Sequence, residues 1–220
     1  MSDFAYRFRH FMKSSPATFW LLAMNTAVFL ATVALGGFSV EILDRLGGLV
    51  PAYVKQGEWW RILTSMFLHG GVVHFLTNML AMFWLGRPME RIFGTKRFLV
   101  LYVGSGIAAG LAVTFLGSAW DLTVGASGSL YGVMAGLFYL TLARKTWFTA
   151  QSLRSIRMMI LINFAITFLF PAISVYGHLG GFAAGFLISL ALLPNMPRRD
   201  REVPDYPPGE SDSEDQDPLV

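Results

Sequence analysis

Residues 122–144 read LTVGASGSLYGVMAGLFYLTLAR, an apolar run with a serine near its start. Gly128, Gly132 and Gly136 fall four apart, so on a helix they stack into a flat ribbon, with Ser127 and Tyr131 on the neighbouring face. A ribbon without side chains lets a second backbone approach closely. Its counterpart is Gly177, Gly181 and Gly185, beside which stands His178, again near the start of an apolar run. Two such helices in contact would bring Ser127 and His178 together. In lipid, small residues at this spacing mark helix contacts, and buried polar residues mark function more often than structure.

Composition places the run in a membrane. Of 220 residues, 54% are hydrophobic and only 14% charged, and the mean hydropathy is positive. The absence of cysteine excludes disulfides, thiolate metal sites and cysteine nucleophiles. The net charge of +3 conceals an asymmetry: residues 198–220 hold 3 basic and 8 acidic groups, the rest 14 basic and 6 acidic. The basic residues flank apolar spans, so they read as topology signals rather than as a nucleic-acid surface.

Uncharged stretches predict six spans, near residues 18–36, 62–86, 98–120, 122–143, 158–171 and 177–193. The first follows a basic stretch of 16 residues and is too long for a signal peptide, so it is retained. The last two come from 40 uncharged residues, 158–197. As one helix they would reach ~60 Å, about twice a hydrocarbon core, so they fold back between Pro171 and Gly177. The longest linker, 38–61, ends in Trp59-Trp60, an interfacial anchor that predicts a loop lying on the membrane surface. Residues 195–220, acidic and proline-rich, predict a disordered tail after a six-helix domain at 17–194. Six spans put both termini on the side of the basic loops, which is the cytoplasm by the positive-inside rule. A short N-terminus without a Ser/Arg-rich leader favours a bacterial cytoplasmic membrane.

With that topology, spans two, four and six run in one direction, and each carries its few polar residues near its start: His74 with Asn78, Ser127, and His178. Three segments therefore place polar groups at one depth, beside helix N-termini whose free N–H groups favour negative charge. A serine hydroxyl needs a base, most often an imidazole, and no carboxylate lies at this depth to orient that imidazole, so a Ser127–His178 dyad is the simplest reading. Tyr131, one turn below Ser127, could hold the ring by stacking. Asn78, His74 and the Ser127 N–H are suitable donors for an oxyanion. A metal peptidase fits poorly, because His69 and His74 are five apart with no acid between them. The GxSxG hydrolase pattern also fails, since Gly128 follows Ser127 directly.

These motifs together resemble the rhomboid family of intramembrane serine proteases over residues 19–193. Trp60-Arg61 is similar to its WR pair, His69, His74 and Asn78 to its H…HxxxN helix, and Glu90, Gly94 and Arg97 to its ExxxGxxR turn. Gly125, Ser127, Gly128 and Tyr131 match GxSGxxY; His178, Gly181 and Gly185 match HxxGxxxG, with Gly177 where the family commonly has alanine. The resemblance implies an all-α membrane fold, Ser127 as nucleophile, His178 as base and acid, Tyr131 packed on its ring, and His74 and Asn78 in the oxyanion hole. It implies no cofactor, and transmembrane segments of other proteins as substrates, cleaved where a helix end meets water. The competing reading from the same family is an inactive member that escorts membrane helices, but such relatives usually lack the serine or histidine. A small transporter would bury charges within its spans, and none is present there.

Overall fold

In the computed structural model, which describes residues 3–193, α1 (Asp3–Ser14) turns at Ser15 into α2 (Pro16–Ala34). Two short helices, α3 (Val40–Arg45) and α4 (Pro51–Lys55), occupy the long linker. After α5 (Arg61–Thr64) and a 3-10 turn at Ser65–Phe67, α6 (Val72–Ala81) runs through a π-helical stretch, Met82–Gly86, into α7 (Arg87–Phe93). Four longer helices follow: α8 (Thr95–Leu116), α9 (Ser127–Ala143), α10 (Ala150–Leu169) and α11 (Val175–Leu192). The tail expected over 195–220 lies outside the described residues.

Among the described residues, α2, α8, α10 and α11 are each long and apolar enough to cross a membrane. The segments Arg61–Phe67 and Val72–Phe93 meet at 91° and make a fifth crossing if the bent pair is one span, while α9, with 17 residues, is shorter. The expected single run over 62–86 is thus corrected to a bent one, because Gly70 and Gly71 interrupt helix propagation. The helix expected from residue 122 begins only at Ser127. Gly125 is left-handed at φ +127° and donates its N–H to Ser65 O at 2.9 Å, and Thr123 pairs with Leu49, so this stretch is held as an extended entrance. α10 starts at Ala150 rather than near residue 158, because Thr149 caps it and Arg154 and Arg157 are good helix formers. Helix α1, not anticipated from the sequence, sets the Phe8 and Phe11 rings edge-on to Phe19.

α9 is the centre of the molecule. From Ser129 to Gly136 every residue is buried, as for a helix enclosed on all sides, with α8 and α11 as its main neighbours. Outward positions such as Trp20, Leu30, Trp84, Leu161, Phe168 and Leu187 are exposed and apolar, the pattern of a surface that faces lipid. The long linker is gathered by Arg61: its guanidinium pairs with Glu58 (2.6 Å) and Asp44 (2.9 Å), donates to Gly48 O, and lies over Tyr53 and Trp60.

A second buried charge ties α2 down. Pro16 needs no partner at the first helical position, and the next two donors, Ala17 N and Thr18 N, reach the Glu90 carboxylate at 2.9 and 2.8 Å. The Thr18 and Thr95 hydroxyls donate to it as well. Glu90 thus caps α2 from α7, a charge at the positive end of a helix dipole. Replacing Glu90 with alanine strands these buried donors and is expected to lower stability by about 2–4 kcal/mol in a detergent unfolding titration. Glu90→Gln, which keeps an acceptor, should fall between alanine and wild type.

Candidate active site

The two glycine ribbons meet backbone to backbone. A Cβ built on Gly181 would land on the Gly128 carbonyl, and one on Gly185 would land on the Gly132 backbone. Further along, a Cβ on Gly136 would come 2.7 Å from Ser189 Oγ. This contact pairs the N-terminal turns of α9 and α11, where Ser127 adjoins Gly128 and His178 adjoins Gly177. The His178 ring is buried and lies parallel to the Tyr131 ring, with centroids 3.8 Å apart and planes at 15°. Since Tyr131 follows Ser127 by one turn, the imidazole sits against the serine-bearing face of α9. No hydrogen bond joins Ser127 to His178 among the described residues. Such bonds commonly tighten only around substrate.

The ring is held from its other side by α10. His178 Nδ1 is 2.9 Å from Thr167 Oγ1, which leaves Nε2 as the nitrogen free to work as a base. Thr167 Oγ1 in turn donates to Asn163 O at 2.9 Å, and the Tyr131 hydroxyl reaches both Asn163 O (2.8 Å) and Thr167 Oγ1 (2.5 Å). Asn163 and Thr167 were not among the residues read from the sequence. Thr167 carried a signal, a polar residue within an apolar helix; Asn163 takes part through its main-chain carbonyl, while its side chain donates to Met159 O.

The entrance to α9 supplies donors. The helix ladder begins with Leu130 N–H to Ala126 O, so the earlier N–H groups, that of Ser127 included, are not committed to it. His74 Nδ1 accepts from Gly70 N at 3.4 Å, which places the ring proton on Nε2. That edge of the ring faces Gly125: a Cβ there would come 2.7 Å from His74 Nε2 and 3.7 Å from Ser127 Oγ. Gly125 is required twice, for its positive φ and for the space His74 takes. Asn78 is buried and gives one amide hydrogen to His74 O at 2.9 Å, which keeps its second hydrogen available. His69, also buried, packs edge-on against His74 at 5.2 Å and lies in the bend rather than on α6.

The sequence profile of the Rhomboid domain matches residues 56–195, well over half of the chain and all of the elements that form this site. The chain belongs to the rhomboid family. It is 34% identical over 176 residues to rhomboid protease GluP of Bacillus subtilis (strain 168), a match that covers 80% of this rhomboid and 34% of GluP. YdcA of the same bacterium is 30% identical over 194 residues, 87% of this chain and 96% of that protein. RHOMBOID-like protein 5 of Arabidopsis thaliana is 33% identical over 177 residues, 79% of this chain and 57% of the plant protein. The rhomboid described here is thus about the length of YdcA but spans about a third of GluP. Its apolar helices and its family make it a multi-pass membrane protein of an intramembrane-protease family.

Proposed function

We propose that this rhomboid is an intramembrane serine endopeptidase that cleaves peptide bonds in or next to transmembrane segments of other membrane proteins. The observation that carries the reading is the His178 ring, clamped by Tyr131 on its face and by Thr167 at Nδ1, one helix contact away from Ser127. His178 Nε2 takes the Ser127 proton as Oγ attacks the substrate carbonyl carbon, and the electron pair of the carbonyl moves onto oxygen. His74 Nε2–H, the Asn78 amide and the Ser127 N–H stabilise that oxyanion. Collapse breaks the C–N bond as the imidazolium gives its proton to the leaving amine. Water then attacks the acyl-enzyme with His178 again as base, which releases the acid and restores Ser127.

The working topology is six crossings, with the bent pair and the short α9 each counted as one. The basic loops and both termini then face the cytoplasm, and the inner membrane of a bacterium is the compartment that suits the topology. Substrates would enter from the bilayer and be cut where their helix ends meet water.

A fluorophosphonate probe in detergent tests the reading without a known substrate, because it needs only an activated serine. Wild type is expected to be labelled, and Ser127→Ala and His178→Ala are not. Labelling that persists in Ser127→Ala would sink the assignment.

A further inference from the structure

We infer that Thr167 is a positioning residue for His178: its hydroxyl accepts the Nδ1 proton and so keeps the imidazole in the tautomer whose Nε2 is unprotonated. The inference rests on the catalytic reading above, but its first observation is a count of protons. Four close contacts join His178 Nδ1, Thr167 Oγ1, Tyr131 OH and Asn163 O, at 2.9, 2.9, 2.8 and 2.5 Å. Thr167 and Tyr131 have one hydroxyl proton each, and Asn163 O has none. If Thr167 bonds back to the carbonyl four residues earlier, as helical threonines do, its proton is committed and Nδ1 must bring its own. All three protons are then used: Nδ1–H donates to Thr167, Thr167 donates to Asn163 O, and the Tyr131 proton is shared between Asn163 O and Thr167 Oγ1. The reverse arrangement, with Thr167 donating to Nδ1, uses only two protons and leaves an Nε2–H to be satisfied elsewhere.

The chemistry of the location favours a hydroxyl. Thr167 is fully buried, and a carboxylate there would bring a charge into the apolar interior at high cost. A β-branched side chain with restricted χ1 fixes Oγ1 in place without one. The residue comes from α10, a helix with few buried positions, so this polar contact is a main attachment between α10 and the site.

The test compares wild type, Thr167→Val and Thr167→Ser by the rate of fluorophosphonate labelling and by nitrogen NMR of protein labelled at its four histidines. The His178 signal is assigned by its loss in His178→Ala. Wild type is expected to show His178 protonated at Nδ1. Thr167→Val, equal in shape but without the hydroxyl, should label about 10–100-fold more slowly, the scale on which a metal-bound histidine loses function without its hydrogen-bonded partner, and should lose that tautomer signature. Thr167→Ser should restore both. A valine variant that labels at the wild-type rate with an unchanged tautomer overturns the inference. Should the valine variant fail to fold, the wild-type spectrum decides: an Nε2-protonated His178 overturns it. A wild type with the Nδ1 signature that takes no label would instead bring down the catalytic reading and leave the tautomer assignment standing.

Discussion

Ser127→Ala and His178→Ala are each expected to slow cleavage of a transmembrane substrate about a thousandfold to a millionfold, and the double variant is expected to be no slower than the worse single one. The reason is that the two groups act as one unit. Without the base, the Ser127 hydroxyl is a weak nucleophile, and without the hydroxyl, the imidazole has no proton to take. What remains in either variant comes from the oxyanion donors of α6 and the tip of α9, which neither substitution touches. The measurement is single-turnover cleavage of a fluorogenic transmembrane peptide in proteoliposomes. Effects that multiplied in the double variant would mean that the residues work in separate steps. The two single variants should differ in stability. Ser127 is only partly buried, whereas loss of the His178 ring removes the Tyr131 stacking and the Thr167 hydrogen bond and costs about 1–2 kcal/mol. Activity must therefore be compared at a temperature where both remain folded.

Gly181→Val is expected to be the most damaging substitution for the fold. Its Cβ would be driven into the Gly128 carbonyl, and that atom belongs to the backbone of a helix buried on every side. A flexible side chain could turn aside, but a backbone in this position cannot without moving all of α9. Overpacking typically costs 1–3 kcal/mol, and a clash with main chain lies at or beyond the upper end of that range, about 3 kcal/mol or more. Gly185→Val meets Gly132 in the same way. Gly70→Ala is the control, since a Cβ there finds its nearest neighbours at 3.8 and 3.9 Å, ordinary contact distances. Thermal unfolding in detergent should show a large fall for Gly181→Val and almost none for Gly70→Ala. A Gly181→Val protein with wild-type melting and labelling would refute the close contact of α9 and α11.

What the sequence made visible, and what it hid, divides by the range of the interactions. The glycine ribbons could be read because a four-residue spacing is a local property, and the structure brings these ribbons into contact. The families of apolar segments were visible for the same reason. The start of α9 was not, since apolarity continues unbroken from Leu122; only the left-handed Gly125 and its tie to Ser65, some sixty positions earlier, delay the helix. The bend before α6 was hidden in the same way, because Gly70-Gly71 inside an uncharged run looks like a tolerated interruption. Glu90 looked like one charge in a basic loop, and its task of capping α2 depends on donors more than seventy residues away. Thr167 does not stand out in the sequence, because the usual orienting partner of a histidine is a carboxylate and a hydroxyl in an apolar helix ordinarily bonds to its own backbone. Here it does that and meets Nδ1 as well.

The glycine contact between α9 and α11 also bears on how the protein responds to its bilayer. Main-chain atoms have no rotamers, so the axial register of the two helices is fixed without any soft side-chain torsion between them, and a slip of one turn would carry His178 about 5.4 Å from Ser127. A bilayer that is thinner or thicker than usual makes helices tilt. Helices α2 and α10, whose outer faces are exposed, can absorb that tilt individually. The α9–α11 pair must lean as one body, which carries Ser127 and His178 together and changes their depth relative to the lipid headgroups while leaving their mutual distance unchanged.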